Sequence, residues 1–389
     1  MTNSNTLFKL DPEAQQHSDR LSSVIQQRIT ESDNKISFAD YMNLCLYHPE
    51  LGYYSSSSEK IGPKGDFTTA PEISSLFSKS LAHHLIDVLT QIEHPSVLEF
   101  GAGTGKMAAD ILLELEQNES LPEHYYILEA SAYLQKKQKE TLHKLVPHFL
   151  SKVIWLTSLP QSFDGVIIAN EVCDAMPTHR VELENDTVTE ICVEHDGDHF
   201  RLCRSPLDPR LQKRCKEINQ LIDSQQNYKT EINLAAEVWL ATLAQLLKQG
   251  AIYIIDYGHP RESFYHPQRS DGTLMCYYQH RGHNDPLILQ GLQDITSHVD
   301  FTALAETAVD NGLNVAGYQS QADFLLAGGI LDQLQAKDTA IFDEMQQKTQ
   351  LKRLTLPSEM GEDFKALSLT KNLDQLLPRL QLADRRYSL

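Results

Sequence analysis

The spacing of hydrophobic residues changes several times along the chain and predicts where helices and strands lie. Residues 1–35 are predicted to form a helical lead-in, because apolar residues recur there at helical spacing, namely Leu21, Val24, Ile25 and Ile29. After a loop rich in Gly, Pro and Ser, helical spacing returns over residues 71–92. Thr69 and Glu72 have the spacing of a capping box, so one long, capped helix is expected here.

After residue 95, short apolar runs alternate with amphipathic segments. The apolar runs are predicted to be strands, at residues 97–100, 125–129, 152–155, 163–169, 251–256, 313–318 and 364–369. Runs that are apolar on both faces are typical of parallel strands covered by helices on each side. The sequence therefore predicts an α/β fold with a doubly wound, mostly parallel sheet.

Two segments interrupt this alternation. Residues 181–202 alternate as in a β-hairpin, whereas residues 258–299 are polar, lack periodicity and are predicted to form a long functional loop region. We expect large insertions that form a substrate lobe on a Rossmann-like core. The predicted organisation is an N-terminal helical segment with an active-site loop (1–95), a cofactor-binding core (96–180), a hairpin and helix insertion (181–230), a core continuation (231–258), a substrate loop insertion (259–300) and completion of the core (301–389).

The charge balance restricts the choice of partner. The chain has 34 Lys and Arg against 53 Asp and Glu among 389 residues, which gives a formal net charge of −19. An acidic surface repels phosphate, and no run of basic residues forms a compensating patch, so a nucleic-acid partner is not expected. A cationic or zwitterionic partner is favoured instead.

Composition also bears on location. No apolar run approaches the roughly 20 residues that span a bilayer, so membrane insertion is not expected. The N-terminal residues resemble neither a signal peptide nor a transit peptide, and the six cysteines are scattered without a C-x-x-C pair. This pattern predicts a cytoplasmic location. It leaves the oligomeric state open.

A glycine-rich turn at residues 99–105, with the sequence EFGAGTG, is the most informative motif. It joins a predicted strand to a predicted helix, so backbone N–H groups and a helix N-terminus can approach a ligand closely. An ATPase phosphate loop is excluded, because Phe100 and Met107 occupy positions that need Gly and Ser or Thr. A dinucleotide fingerprint is disfavoured, because its third glycine would fall at Lys106.

Two acids frame this turn. Glu99 precedes the first glycine, and Glu129 ends the next predicted strand, at about the spacing from which a carboxylate can bind the two hydroxyls of a ribose. This arrangement resembles class I S-adenosylmethionine methyltransferases. The residues expected to bind that cofactor are Glu99, Gly101, Ala102, Gly103, Gly105, Glu129, Ala130 and Asn170.

Further motifs extend the resemblance over residues 37–371. They are GDFTTAPEIS at 65–74, NEVCDAMP at 170–177, DYG at 256–258, GTL at 272–274, DITSHVDF at 294–301 and MGEDFK at 360–365. Together with the glycine turn they resemble the MidA family, which includes a mitochondrial protein arginine methyltransferase required for complex I assembly. The resemblance implies a class I methyltransferase fold, S-adenosyl-L-methionine as cofactor, and methylation of an arginine in the large peripheral-arm subunit of respiratory complex I.

Candidate acceptor-site residues follow the predicted strand at 163–169. Methylation of a guanidinium needs carboxylates that fix its plane and localise its charge away from the attacking nitrogen. Glu171 and Asp174 are the first candidates, Asp66 on the preceding loop is a third, and Asn170 is expected to orient backbone or cofactor. Asp174 could instead cap a following helix, and Asp66 could organise a turn.

Other interpretations remain at this point. His280 and His283 lack the spacing of a zinc site, so no metal is expected, and they are predicted to line a polar substrate groove. The same glycine turn could serve a nucleotide-dependent oxidoreductase. The chain could also be a non-catalytic complex I assembly factor that retains the cofactor pocket.

Overall fold

The computed structural model describes residues 8, 10–55, 69–185, 187–222, 227–334 and 341–389. Its helices are α1 (Pro12–Thr30), α2 (Phe38–Tyr47), α3 (Ala70–Ile73), α4 (Ser75–Leu89), α5 (Lys106–Gln117), α6 (Ala132–Leu145), α7 (Gln212–Asn219), α8 (Leu234–Leu246), α9 (Arg261–Phe264), α10 (Phe301–Asp310), α11 (Gln321–Ala327), α12 (Ile330–Gln333), α13 (Ile341–Thr355) and α14 (Met360–Asp363). Its strands are β1 (Ile36–Ser37), β2 (Ser96–Phe100), β3 (Tyr125–Leu128), β4 (Val153–Leu156), β5 (Phe163–Asn170), β6 (His179–Glu184), β7 (Thr187–His195), β8 (Phe200–Ser205), β9 (Tyr228–Ile232), β10 (Leu247–His259), β11 (Met275–Tyr278), β12 (Arg281–His283), β13 (Asp294–Thr296), β14 (Val299–Asp300), β15 (Asn314–Ser320) and β16 (Phe364–Lys371).

The central sheet has the strand order β15-β16-β10-β5-β2-β3-β4, and β14 pairs with the end of β10. Strands β10, β5, β2, β3 and β4 are parallel, whereas β16 is antiparallel to both of its neighbours. This confirms the predicted mostly parallel α/β sheet. The chain leaves β2 in one direction towards β4 and later returns on its other side with β5, so the strand order reverses between β2 and β5. Ligands bind at the carboxyl ends of strands at such a point.

Helices cover both faces of this sheet. Val166 and Ile168 of β5 pack in a core with α4, α5 and α6, while Ile167 packs in a second core with α8 and α10. The two cores explain why residues 166–169 of β5 are all apolar, since alternate side chains of a strand point to opposite faces. The strand ends are thus held from both sides.

A second lobe lies on the core. One antiparallel sheet has the order β1-β7-β6-β9, with β8 beside β7, and it confirms the hairpin predicted at residues 181–202. A further antiparallel sheet has the order β12-β11-β13. Apolar side chains of α1 and α2 pack against both sheets, for example Leu21 and Phe38 against Val193 and Cys276.

Two local predictions are wrong. Residues 258–299 are not one long loop, because β11, β12 and β13 form a sheet there; strands of three or four residues are too short to show a period of two. The helix expected over residues 71–92 is broken at Ser74. The Ser74 hydroxyl accepts a hydrogen bond from Leu76 N at 3.3 Å and caps α4, whereas Thr69 makes no side-chain cap.

Among the described residues, none of the helices is long and apolar enough to cross a membrane.

Candidate functional site

The glycine turn after β2 depends on backbone conformations that side chains disfavour. Gly101, Gly103 and Gly105 have φ angles of 62°, 53° and 83°, all in the left-handed region. A Cβ at Gly105 would approach Gln138 Cα to 3.0 Å, which is tighter than ordinary contact. Gly105 therefore lets the backbone pack closely against α6, while Gly101 and Gly103 line the cavity above the strand ends.

Glu99 lies inside β2 below this turn and is fully buried. Tyr125 donates a hydrogen bond from its hydroxyl to Glu99 Oε2 at 2.7 Å, while Oε1 has no partner among the described residues. Burial raises the pKa of Glu99 to about 7, although the Tyr125 hydroxyl opposes this. A buried carboxylate with one unpaired oxygen, lining a cavity, is suited to a hydrogen-bonding or cationic ligand.

Glu129 follows β3 and faces the same cavity. Its Oε1 accepts a hydrogen bond from Ser131 N at 2.9 Å, and its Oε2 accepts one from Gln138 Nε2 at 3.0 Å. Gln138 also accepts a hydrogen bond from Trp155 Nε1 at 2.9 Å, so β4 and α6 together orient the carboxylate. Burial raises the pKa of Glu129, and these hydrogen bonds oppose the shift.

The cavity joins most of the residues predicted for the site. Those that line it are Glu99, Gly101, Ala102, Gly103, Glu129, Ala130, Asn170 and Glu171. Gly105 does not appear in that lining and acts from behind it, through its approach to Gln138. Glu72 also lines the cavity and accepts a hydrogen bond from the Thr104 hydroxyl.

Glu171 stands directly after β5 in a left-handed conformation with φ 53°, which is rare for a residue other than glycine. Its Oε1 accepts hydrogen bonds from Ala70 N at 3.4 Å and Asn170 Nδ2 at 3.2 Å. Burial, followed by the nearby charge of Asp174, raises the pKa of Glu171 to about 8. Within the described part of the chain, no Lys, Arg or His forms an ion pair with it.

Asp174 lies three residues further on and is buried. Residues 171–178 contain no helix and lead into β6, so the alternative that Asp174 caps a helix is wrong. Burial raises its pKa to about 6, against the effect of the neighbouring Tyr257 hydroxyl. Asn170 donates to Glu171 and keeps a buried Oδ1 that has no partner among the described residues. Asp66 lies outside the described residues.

Three residues of the second lobe lie at or beside this cavity and were not predicted. Tyr47 and Tyr54 line the cavity with rings stacked at 5.4 Å and 23°. The Tyr47 hydroxyl donates to Ala175 O at 3.1 Å, and the Tyr54 hydroxyl donates to the two carboxylate oxygens of Asp294 at 3.0 and 3.1 Å. Asp294 begins a segment that resembles a family motif, which was the only sequence signal for it.

The two histidines considered for a substrate groove lie on the hairpin of β11 and β12. His280 is in its turn and exposed, and His283 packs against Phe8 with ring centroids 5.2 Å apart. Neither is among the residues that line the cavity. Their predicted role in substrate binding stays a prediction.

Comparison with known proteins adds independent findings. Residues 80–319 match the model of a family described as "Putative S-adenosyl-L-methionine-dependent methyltransferase". A crystal structure from Burkholderia thailandensis, bound to S-adenosyl-homocysteine, is 37% identical and has a TM-score of 0.94; the match covers 99% of this chain and 100% of that one.

Two curated relatives are similar over most of their length. The Drosophila melanogaster protein arginine methyltransferase NDUFAF7 homologue is 29% identical, over 87% of this chain and 82% of its own. The Homo sapiens protein arginine methyltransferase NDUFAF7 is 27% identical, over 92% of this chain and 83% of its own. Both are named mitochondrial, so the predicted cytoplasmic location is contradicted. Scattered free cysteines indicate a reducing environment and do not identify the compartment.

Proposed function

Because the chain belongs to this family of S-adenosylmethionine-dependent methyltransferases, we propose that it N-methylates an arginine side chain of a protein substrate. Its cofactor is S-adenosylmethionine. The alternative of a nucleotide-dependent oxidoreductase is therefore wrong. A non-catalytic assembly role remains the interpretation that the experiment below must exclude.

The residues around the glycine turn fit this cofactor. The unpaired Oε1 of Glu99 would accept a hydrogen bond from the cofactor, and the Glu129 carboxylate, already oriented by Ser131 and Gln138, would accept hydrogen bonds from the two ribose hydroxyls. When bound, the cofactor supplies a methyl group on a sulfonium. The open backbone at Gly101 and Gly103 would let that group lie near Glu171, which lines the same cavity.

The observation that carries the proposal is Glu171 itself, a buried carboxylate beside the cofactor cavity with no cationic partner in the described residues. A buried charge without a partner is costly, so such a site favours a ligand that brings a positive charge. Arginine is suitable because its guanidinium is always charged and presents a planar set of donors. Asp174 and Asp294 add negative charge nearby, since both raise the pKa of Glu171.

The tyrosine pair supports a guanidinium over a compact ammonium. Tyr47 and Tyr54 are anchored by their hydroxyls, so their rings form a fixed aromatic wall of the cavity. A planar cation can stack on such a wall while its edge faces a carboxylate.

A carboxyl group of the site can also accept the proton that the guanidinium loses when it is methylated. The attacking guanidinium nitrogen would form a bond to the methyl carbon as the bond from that carbon to sulfur breaks, which leaves a neutral thioether. The methylated nitrogen must then give up one proton for the product to remain a singly charged guanidinium. Because Glu171 Oε1 already accepts two hydrogen bonds, Oε2 is the oxygen available to accept that proton. Asp174 would stabilise the remaining positive charge of the product.

As the substrate, we propose an arginine in the large peripheral-arm subunit of respiratory complex I, on the basis of the resemblance to the MidA family. The test incubates purified protein with labelled S-adenosylmethionine and lysate from a deletion strain, followed by mass spectrometry of the labelled band. We expect a methylarginine in that subunit. A methylated residue of another type would contradict arginine specificity, and an arginine in another protein would replace the proposed substrate.

The matched control is Glu171→Gln, which keeps the shape of the side chain and removes its charge. Methyl transfer should fall by about a hundredfold or more, the typical effect of losing one positioned electrostatic group, while cofactor affinity stays unchanged. If no protein in the lysate is labelled although the cofactor binds, the non-catalytic alternative is correct.

A further inference from the structure

The carboxylate of Asp256 lies behind the loop that carries Glu171 and Asp174. It is fully buried near the end of β10. Its Oδ2 accepts hydrogen bonds from three successive backbone amides, Val172 N at 3.2 Å, Cys173 N at 2.9 Å and Asp174 N at 3.2 Å. Its Oδ1 accepts a fourth from Tyr257 N at 2.9 Å. Three successive amides that converge on one oxygen form an anion-binding nest.

This nest determines the direction of the loop. Glu171, the residue before the nest, has the left-handed φ of 53° and donates its own N–H to Ile255 O at 2.9 Å. The chain therefore leaves β5, turns sharply at Glu171 and is fastened residue by residue to the end of β10. Such a strained conformation persists only where the surroundings hold it.

We propose that Asp256 is the positioning residue of the acceptor site: its carboxyl group fastens residues 172–174 and places a third buried acid behind Glu171 and Asp174. This inference rests on the proposed function, because it assigns Asp256 to the site at which the guanidinium would bind. Asp256 does not line the cavity, so it acts through the loop and through its charge.

The groups that face Asp256 determine whether it raises or lowers the pKa of the neighbouring carboxyl groups. Burial, then the charges of Asp174 and Glu171, raise the pKa of Asp256, and Cys173 and Tyr257 also lie against it. Lys365 is opposite Asp256 in the register of β16, but its ammonium pairs with Glu362. The amides of Asp174 and Tyr257 that donate to Asp256 oppose this rise in its pKa by favouring its ionised form. Because the repulsion between two carboxylates is mutual, removing the Asp256 carboxyl should let Glu171 and Asp174 ionise at lower pH.

The variant Asp256→Asn tests this proposal without substrate. Carboxyl groups labelled with ¹³C are titrated by NMR in wild type and variant, and the signal of Glu171 is identified by its absence in Glu171→Gln. We expect the titration midpoint of Glu171 to fall by about one pH unit in Asp256→Asn, as for removal of a close like charge. Methyl transfer should slow by about tenfold or more while cofactor affinity changes by less than about twofold.

Asn233→Ser is the matched control. Asn233 Nδ2 donates to Cys173 O at 3.0 Å and so fastens the same loop without a charge, while its Oδ1 caps α8. Serine retains a capping oxygen and loses the amide donor. We expect this variant to lower the rate without moving the Glu171 midpoint.

Two outcomes would overturn the proposal: an unchanged Glu171 midpoint in Asp256→Asn, or an equal shift in Asn233→Ser. If Asp256→Asn does not fold, as judged by circular dichroism, Asp256→Ser is titrated in its place, since its hydroxyl can still accept one of the amide hydrogen bonds. The midpoint requires neither turnover nor a known substrate. The proposed function fails if wild type produces no methylarginine in the lysate. That result is independent of the Glu171 titration, so the two proposals can be tested separately.

Discussion

Burial has the same effect on three carboxyl groups of the candidate site: it raises the pKa values of Glu99, Glu171 and Asp174 above their ordinary range. Burial raises their pKa values to about 7, about 8 and about 6. Their hydrogen bonds differ, however. Glu99 accepts a hydrogen bond from a tyrosine hydroxyl and faces the cofactor cavity. Glu171 accepts hydrogen bonds from two amide groups and faces the proposed acceptor. Under the proposed function, the same physical effect would serve two different ligands.

The raised pKa of Glu171 predicts a pH dependence of substrate use. Below about pH 8 the free site holds a proton on Glu171, and that proton must leave before the carboxylate can pair with a guanidinium, which is charged throughout this range. We expect kcat/KM for an arginine substrate to rise with pH between about 6 and 8, by up to about tenfold per unit, and then to level off. Steady-state kinetics at constant ionic strength measure this, and a flat profile would contradict the assignment of Glu171.

Glu129 offers a prediction about the cofactor alone. Glu129→Ala removes the carboxylate that Ser131 and Gln138 orient towards the cavity, so affinity for S-adenosylmethionine should weaken by about 1 to 3 kcal/mol, as for losing charged hydrogen bonds. Calorimetry measures the loss. Glu140→Ala, on the exposed face of the following helix α6, removes the same charge outside the cavity and should leave affinity intact. Equal losses in both variants would indicate a general charge effect instead.

At the scale of elements, the junction of β2 and α5 predicts a stability difference. Gly105 and Gly312 both have φ near 80°, but a Cβ at Gly105 meets Gln138 whereas one at Gly312 meets nothing within 4 Å. Alanine at either position should cost about 1 to 2 kcal/mol of unfolding free energy for the left-handed backbone. Gly105→Ala should cost about 1 kcal/mol more through overpacking.

Urea unfolding of both variants, with unchanged m-values, measures this difference. Gly105→Ala should also weaken cofactor binding, because Gln138 orients Glu129 and bonds to Gly103 O at 3.1 Å. Gly312→Ala should not. Equal effects of the two variants on both stability and binding would show that the contact with Gln138 is unimportant.

The sequence predicts best those strands that are packed against helices on both faces of the sheet. β2, β3 and β5 lie within a residue or two of the expected strands, because a run that is apolar on both faces has few alternative structures. The break at Ser74 was missed because helical spacing continues across it, and only the capping geometry stops the helix. The strands β11–β13 were missed because they are too short to establish a period.

The residues of the candidate site also fall into two groups, those that the local sequence predicts and those that it does not. Glu99, Glu129 and Glu171 follow from the sequence because each lies at the end of a strand that can be recognised locally. Asp256, Tyr54 and Asp294 come from segments far apart along the chain, and no spacing within a segment reports their approach. Asp256 approaches residues 172–174 because β10 pairs with β5, whereas Tyr54 and Asp294 belong to the second lobe and depend on its packing against the core.

At the scale of the whole molecule, the cavity lies where the two lobes meet. The core supplies the glycine turn and the acids at the ends of β2, β3 and β5, and the second lobe supplies Tyr47 and Tyr54, of which Tyr54 donates to Asp294 behind it. Because α1 and α2 pack against both sheets of the second lobe, their shared core holds the tyrosines that follow. The net charge of −19 and the carboxyl groups of this cavity together favour a positively charged substrate.

That arrangement predicts an electrostatic contribution to substrate capture. The net charge of −19 should attract a basic segment over distances comparable with the Debye length, which falls from about 30 Å at 0.01 M salt to about 8 Å at 0.15 M. For an arginine peptide with basic flanking residues, kcat/KM should fall by about tenfold or more over this range, chiefly through KM. A peptide with the same target arginine and neutral flanks should lose much less, because only the local pairing with Glu171 and Asp174 remains, and buried pairs are weakly screened. Parallel salt titrations of the two peptides measure the difference, and equal slopes would show that the acidic surface takes no part in capture.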